Sequence, residues 1–174
     1  MLRRQVHADA TVPMVCFTPK RYLRQPQTRA TRDELTTGQF ELVLDDRAAT
    51  SGTLDRSSVS RVLVCTGKLA HELMDERDAR AVNTAIVRVE QLYPWPEQEL
   101  LDVLAGYPDA AEVWWVQEEP ENMGAWTFVF NRLSPALRGR DLHHVARDSS
   151  GSPASGSLIV HEREQRAILD AAFA

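Results

Sequence analysis

Strands and helices are predicted to alternate along residues 59–173, and this order constrains the fold more than any other feature of the sequence. Apolar and β-branched runs are predicted as strands, and the segments between them carry apolar residues at helical spacing. The predicted strands are Val59–Thr66, Thr84–Glu90, Glu112–Gln117 and Leu142–Ala146. The predicted helices are Lys68–Arg80, Pro96–Ala105, Gly124–Leu137 and Ser157–Phe173. This alternation predicts a three-layer α/β domain, in which helices cover both faces of a mostly parallel sheet.

Residues 1–58 lack this alternation and are predicted to form a basic N-terminal arm and a linker. Residues 1–32 carry seven Lys or Arg against a single Asp, although the whole chain has a net charge of −5. Val12–Thr18 and Gln39–Leu44 are predicted as strands, and residues 45–58 are rich in Asp, Ser, Thr and Gly, as a loop or linker is. We therefore divide the chain into an arm, 1–58, and a core domain, 59–174.

Composition and charge narrow the classes of partner and compartment. The chain is 43% hydrophobic and 26% charged, which is ordinary for a soluble protein, and no apolar run approaches the roughly 18 residues of a membrane span. The basic arm has few aromatics, which argues against nucleic acid. It is expected to meet an anion or an acidic partner surface, or to remain solvated. We expect a cytoplasmic protein without a membrane contact, in which Cys16 and Cys65 are buried free thiols.

The stretch Val113–Trp126 concentrates polar groups at the carboxyl end of a predicted strand and contains three of the four tryptophans. Glu118 and Glu119 point to opposite faces if the strand continues through them. One interpretation is that one of the two glutamates transfers a proton or contacts a ligand. The other is that it accepts hydrogen bonds from backbone N–H groups at the start of the next helix. The other candidates in this stretch, for a turn or a subunit interface, are Trp115, Asn122 and Trp126.

Known catalytic motifs are incomplete in this sequence. Lys68 follows Gly67 at a strand-to-helix turn, but Val62 and Leu69 occupy positions that a P-loop requires as Gly and Ser or Thr. Lys68 is therefore either an anion contact or an exposed lysine. The histidines and cysteines lack zinc-ligand spacing, and no nucleophile elbow is present. We predict no catalytic, cofactor or metal residues. His161, after a loop of small residues, is an interface or ligand contact or a plain surface histidine.

Six segments in fixed order carry a resemblance to a known family. They are MLRRQ at 1–5, FTPKRYLR at 17–24, VLVCTGKL at 62–69, AIVRVEQLYPWP at 85–96, VWWVQEEPENMGAW at 113–126 and SPASGS at 152–157. The chain resembles the C-terminal part of the thiamine-diphosphate-dependent decarboxylase component of 2-oxoglutarate dehydrogenase. It is also similar to the C-terminal end of the multifunctional 2-oxoglutarate metabolism enzymes. The resemblance covers nearly the whole chain.

The resemblance implies a transketolase C-terminal-like fold and a homodimeric parent enzyme of the tricarboxylic acid cycle. That enzyme decarboxylates 2-oxoglutarate with thiamine diphosphate and Mg²⁺ and transfers the succinyl group to lipoamide. Its implied partners are the succinyltransferase and lipoamide dehydrogenase components. The parent's cofactor signature and catalytic histidines precede this region. This chain is therefore expected to be a non-catalytic dimer-contact domain, inactive without the N-terminal thiamine-binding domains. It would be a fragment, a truncated frame or a separately encoded domain.

One residue and one segment depart from the family pattern. Arg21 replaces the serine that follows F-T-P-K, and Ser150-Gly151-Ser152-Pro153-Ala154 replaces S-A-S-P-A.

An alternative function is a stand-alone regulatory module that binds an acyl-CoA or a nucleotide. Its predicted phosphate contacts are Lys20, Arg21, Arg24 and Lys68.

Overall fold

The computed structural model describes residues 2–7, 12–109 and 111–174, which divide into two compact units, Met1–Glu41 and Leu42–Ala174. The first unit contains two short helices, α1 (Leu2–Val6) and α2 (Arg32–Thr36), and 3-10 turns at Lys20–Arg24 and Pro26–Thr28. A capping box at Thr31 and Glu34 starts α2, since each side chain accepts a hydrogen bond from the other residue's backbone N–H.

The strand predicted at Val12–Thr18 is wrong, because these residues have no regular secondary structure. Val15 and Phe17 are 74% and 95% exposed, and no strand among the described residues pairs with this run. Without a partner strand the β-prone residues have no hydrogen-bond ladder to join. Cys16 lies in the same run and is exposed, so its predicted burial is wrong, whereas Cys65 is buried as predicted.

The second unit is built on a five-stranded sheet in the order β1-β3-β2-β4-β5. The strands are β1 (Val43–Leu44), β2 (Arg61–Cys65), β3 (Thr84–Val89), β4 (Glu112–Pro120) and β5 (Leu142–Arg147). The helices are α3 (Arg47–Thr50), α4 (Leu69–Arg80), α5 (Glu97–Leu104), α6 (Trp126–Ala136) and α7 (Leu158–Ala172), and a 3-10 turn lies at Arg56–Ser58. Strands β2 to β5 pair in parallel, and β1 pairs antiparallel with β3.

Two apolar clusters, one on each face of the sheet, confirm the predicted three-layer α/β fold. Alternate residues of β2 divide between them, since Val62 and Val64 join one cluster and Leu63 and Cys65 the other. Helices α5 and α6 supply residues to the first cluster, and α4 and α7 to the second. Helix α5 follows Pro96 and has acidic residues in its first turn, which the helix dipole favours.

The compact second unit begins at Leu42, upstream of the boundary that we placed at residue 58. Residues 45–58 were predicted as a loop or linker, but Ala49 and Leu54 belong to the apolar core. Asp46 is 1% exposed and pairs with Arg77, and it also accepts the N–H of Ile86 at 2.7 Å. This buried ion pair ties the segment to β3 and α4.

Candidate functional site

The candidate site lies between the carboxyl ends of β2 and β4. The chain leaves β2 toward β3 on one side, and from β3 it crosses to β4 on the other side of β2. Connections from neighbouring parallel strands therefore diverge at this point, which is where open α/β sheets form their ligand crevice. Thr66, Gly67 and Lys68 follow β2 here, and β4 ends in residues 117–120.

Gln117 organises the turn from β4 to α6. Its side chain is 3% exposed, and its amide oxygen accepts the indole N–H of Trp115 at 3.1 Å and the backbone N–H of Trp126 at 2.9 Å. Its amide nitrogen donates its two hydrogens to the carbonyl oxygens of Pro120 and Met123, at 3.0 and 2.9 Å, and the carbonyl of Glu119 shares one of these hydrogens at a longer distance of 3.3 Å. An amide can donate and accept at once, which a carboxylate cannot. Sequence reasoning missed Gln117, because a lone glutamine in an apolar strand carries no recognisable motif.

Glu118 and Glu119 meet different surroundings. Glu118 accepts a hydrogen bond from the ammonium of Lys68, and this ion pair joins the end of β4 to the turn after β2. The Lys68 nitrogen also lies 3.7 Å from a carboxylate oxygen of Glu72. The predicted anion contact Lys68 is thus engaged by two carboxylates of its own unit.

Glu119 lines a crevice of about 340 Å³ at the same edge of the sheet. Among the residues that the structure describes, its carboxylate has no hydrogen-bond or ion-pair partner. Gly124 lies directly behind it, with φ at +65°, and a Cβ on Gly124 would lie 2.9 Å from the Cβ of Glu119. A glycine is therefore required both by the left-handed backbone and by the close approach.

Asn122 holds the loop of small residues at 150–157 against the turn that follows β4. Its amide donates to the carbonyl of Ser150 and accepts the N–H of the same residue, each at 3.0 Å. Arg147 supports this loop from β5 by donating to the carbonyl of Pro153 at 2.7 Å and to Glu164 of α7 at 3.1 Å. The loop borders a second cavity of about 510 Å³.

The remaining candidates of the second unit lie apart from the crevice or serve the core. Trp115 is fully buried within the unit, although it also contributes to one wall of the crevice. Trp126 stacks on His144 with ring centroids 4.1 Å apart. His161 is exposed on α7.

The predicted phosphate contacts of the arm lie in the first unit. Lys20 and Arg24 are exposed in the 3-10 turn Lys20–Arg24. The side chain of Arg21 lies outside the described part of the structure. Lys68 belongs to the second unit, so the structure assigns these four residues to two units.

Burial makes the thiol of Cys65 unreactive. Desolvation raises its pKa to about 12, so the nucleophilic thiolate is scarce at neutral pH. Within the described ranges, no group of three or more His, Cys, Asp or Glu could hold a metal ion. None of the helices in those ranges combines the length and hydropathy that a bilayer crossing requires.

Comparison with known proteins shows what this chain is related to. Residues 29–173 match the family described as 2-oxoglutarate dehydrogenase C-terminal. This chain belongs to that family. The 2-oxoglutarate dehydrogenase E1 component of Cupriavidus necator is 39% identical over 100% of this chain, and that of Azotobacter vinelandii is 38% identical over 99%. The multifunctional 2-oxoglutarate metabolism enzyme of Mycobacterium sp. strain KMS is 37% identical over 100%.

The match confirms the resemblance drawn from the ordered sequence segments. As a 2-oxoglutarate dehydrogenase C-terminal domain, the chain spans 18% of the length of either E1 component and 14% of the multifunctional enzyme. A solved transketolase from Pichia stipitis aligns with 76% of this chain and 17% of its own, at 11% identity and a TM-score of 0.46.

Proposed function

We propose that this chain serves as a non-catalytic, dimer-contact domain of the E1 component of 2-oxoglutarate dehydrogenase. The observation that carries the proposal is the family match over residues 29–173, together with relatives that are E1 components. In this role the chain works with N-terminal domains that perform the oxidative decarboxylation of 2-oxoglutarate in the tricarboxylic acid cycle. The succinyltransferase and lipoamide dehydrogenase components are then its partners.

Thiamine diphosphate and Mg²⁺ belong to the N-terminal domains in this proposal. Magnesium prefers several oxygen ligands in octahedral geometry. Within the described residues, no three or more His, Cys, Asp or Glu side chains come together as a site that could hold a metal ion. Two pairs of polar groups at the sheet edge are engaged with each other, namely Lys68 with Glu118 and Asn122 with Ser150. Their bonds support a role in shaping the domain surface.

Complementation tests this proposal. The chain is produced together with the Cupriavidus necator E1 component from which the matching segment has been deleted. We expect the two polypeptides to copurify and to recover decarboxylation of 2-oxoglutarate, measured with ferricyanide as electron acceptor. The chain alone, with thiamine diphosphate, Mg²⁺ and 2-oxoglutarate, should be inactive. Activity of the chain alone contradicts the non-catalytic role, and failure to copurify contradicts the contact role.

A regulatory module that binds an acyl-CoA or a nucleotide is the second candidate. The observation that favours it is the exposure of Lys20 and Arg24, whose charges face solvent in the first unit. Lys68 supports it less, because Glu118 and Glu72 already engage its ammonium. Calorimetry with acetyl-CoA and AMP tests this candidate. Heat that disappears in the double variant Lys20→Ala, Arg24→Ala supports it, and no heat with the folded wild-type chain contradicts it.

A further inference from the structure

We propose that the crevice between β2 and β4 binds a small organic cation, in which an ammonium, amidinium or guanidinium group is carried on a flat apolar body. The crevice lies where the chain connections diverge from the carboxyl ends of two parallel strands. Its volume of about 340 Å³ fits a small molecule. The proposal is independent of the E1 role and can fail separately.

The charge of the ligand follows from Glu119. Among the described residues that line the crevice, Glu119 carries the only charged side chain. Its neighbour Glu118 is neutralised by Lys68, whereas the Glu119 carboxylate has no partner within the described residues. A carboxylate accepts hydrogen bonds and prefers a positively charged donor, and an amidinium or guanidinium can engage both of its oxygens.

The other polar side chains that line the crevice also favour a ligand that donates hydrogen bonds. The amide of Gln117 is occupied by five bonds to the turn and to Trp115. The hydroxyl of Thr66 lines the crevice without a partner among the described residues, and it can accept a second donor from the ligand. Among the side chains of the lining, the polar groups without a partner in the described residues are thus the Glu119 carboxylate and the hydroxyls of Thr66 and Tyr93, and each of them can accept a hydrogen bond.

The apolar body of the ligand follows from the walls. Leu92, Tyr93, Ala125 and Phe128 line the crevice with aliphatic and aromatic surface. Tyr93 is 80% exposed at the rim, where its ring can cover a flat ligand. Arg132 already lies 3.7 Å from the centre of the Phe128 ring, so the Phe128 ring contributes chiefly apolar contact. Attraction for a cation comes mainly from Glu119.

The walls are held in place without a ligand, which lowers the cost of binding. The loop that carries Tyr93 is anchored by Gln91, whose side chain donates to the carbonyl of Pro94 at 3.0 Å. The backbone N–H groups of Glu90 and Gln91 both donate to the carbonyl of Leu42. On the opposite wall, Gly124 allows the turn to approach the Cβ of Glu119.

Two probes of nearly equal shape test the charge requirement. Benzamidinium carries the proposed cation on a flat ring, and benzamide is its neutral counterpart. Both are titrated into the ¹⁵N-labelled full chain, and backbone amide shifts are followed by NMR. We expect saturable shifts at Thr66, Glu119 and Gly124 with benzamidinium, and an affinity for benzamide that is about tenfold weaker, since a charge-assisted bond is stronger than a neutral one. Equal affinities, or shifts confined to other regions, overturn the proposal.

A matched pair of variants locates the site. Glu119→Gln removes the charge but keeps the shape, and it should weaken benzamidinium about tenfold. Glu121→Gln makes the same change two residues away, outside the crevice, and should leave the affinity within about twofold. Unchanged affinity in Glu119→Gln overturns the proposal. Circular dichroism checks that both variants remain folded, since Glu119 has no partner among the described residues and the carboxylate of Glu121 lies 3.3 Å from the ring nitrogen of His144.

Acetyl-arginine methylamide distinguishes a free ligand from a protein side chain. It presents the guanidinium on a flexible stem attached to a peptide backbone. We expect it to bind more weakly than benzamidinium, because it must order its long side chain and has no flat ring for the aromatic rim. Binding tighter than that of benzamidinium assigns the crevice to a basic segment of another protein and overturns the small-molecule assignment.

Discussion

The side-chain amide of Gln117 connects the core to the candidate site. It accepts the N–H of buried Trp115 and the backbone N–H of Trp126, while donating to three carbonyls of the turn. Buried polar groups of this kind cost little while satisfied and much when one partner is lost. The turn that positions Glu118, Glu119 and Asn122 therefore depends on a side-chain amide that is already bonded to the turn and to Trp115.

Replacing Gln117 with Leu is expected to destabilise the chain by about 2–4 kcal/mol, because several buried donors and acceptors lose their partners at once. Denaturant unfolding followed by tryptophan fluorescence measures the change. Gln98→Leu is the control, since Gln98 is exposed on α5 and, among the described residues, its side chain bonds only to Asp102. Equal stability of the two variants would show that the Gln117 network is unimportant.

Alanine substitutions at two glycines with similar backbone conformations distinguish the cost of steric overlap from the cost of backbone strain. Gly52 has φ at +78°, and a Cβ there would meet no atom of the described residues within 4 Å beyond its chain neighbours, whereas at Gly124 a Cβ would lie 2.9 Å from the Cβ of Glu119. Gly52→Ala should cost about 1 kcal/mol from the left-handed conformation alone. Gly124→Ala should cost at least about 1 kcal/mol more, because the turn must also shift. Thermal unfolding of both variants provides the comparison, and a smaller loss in Gly124→Ala would contradict the close approach.

Helices α4 and α7 are joined on one face of the sheet by a network of ion pairs. Glu76 of α4 accepts hydrogen bonds from Arg166 of α7 at 2.8 Å and from Arg80 at 2.7 Å. These bonds, the one from Arg166 first, hold the pKa of Glu76 below its usual 4.5. The network adds an electrostatic contact to the apolar packing of Leu73 and Ile168.

Glu76→Gln should lower stability by up to about 1 kcal/mol at pH 7, as expected for a partly exposed network of ion pairs. Because the pKa of Glu76 is lower in the folded state, its contribution is fully present above about 4.5 and is lost as the pH falls through the lower, folded value. The difference in unfolding free energy between wild type and variant should thus shrink below pH 4.5. Urea unfolding across this range measures it. A pH-independent difference for Glu76→Gln would contradict this account.

The second unit contains both apolar clusters of the structure, which run from Val43 to Ala172. The residues at the start of this unit contribute to its folded structure, because Val43 pairs with Val89 in the sheet and the buried Asp46 forms an ion pair with Arg77. The arm, in contrast, places Val15 and Phe17 in solvent. The folding core therefore lies within residues 42–174.

A chain of residues 42–174 should unfold cooperatively, with a Tm within about 4 °C of that of the full chain. A shift of this size corresponds to a change of roughly 1 kcal/mol in the free energy of unfolding of a domain of this length. A chain of residues 59–174 should be far less stable, because it loses β1 and leaves Arg77 buried without Asp46. Calorimetry of both truncations tests the boundary. If the two truncated chains were equally stable, the boundary of the folding core would lie at residue 58 instead.

Several features were predictable from sequence because they depend on local periodicity. The alternation of apolar strands with amphipathic helices determined the parallel sheet and its two covered faces, and each strand and helix predicted in residues 59–173 lies within a few residues of its observed bounds. The ordered motifs likewise identified the family, which the match over residues 29–173 confirms. Val12–Thr18 was mispredicted for the same reason, since β propensity is local but a strand requires a partner.

Only the tertiary structure decided how the polar residues of Val113–Trp126 are used. Their sequence placed two carboxylates side by side, but the position of Lys68 on a different strand connection neutralises Glu118 and leaves Glu119 facing the crevice. Gln117 and Asp46 acquire their roles through partners far away in the chain, such as Trp126 and Arg77. Periodicity determines which face of an element is buried, whereas hydrogen bonds and ion pairs depend on which elements the fold brings together.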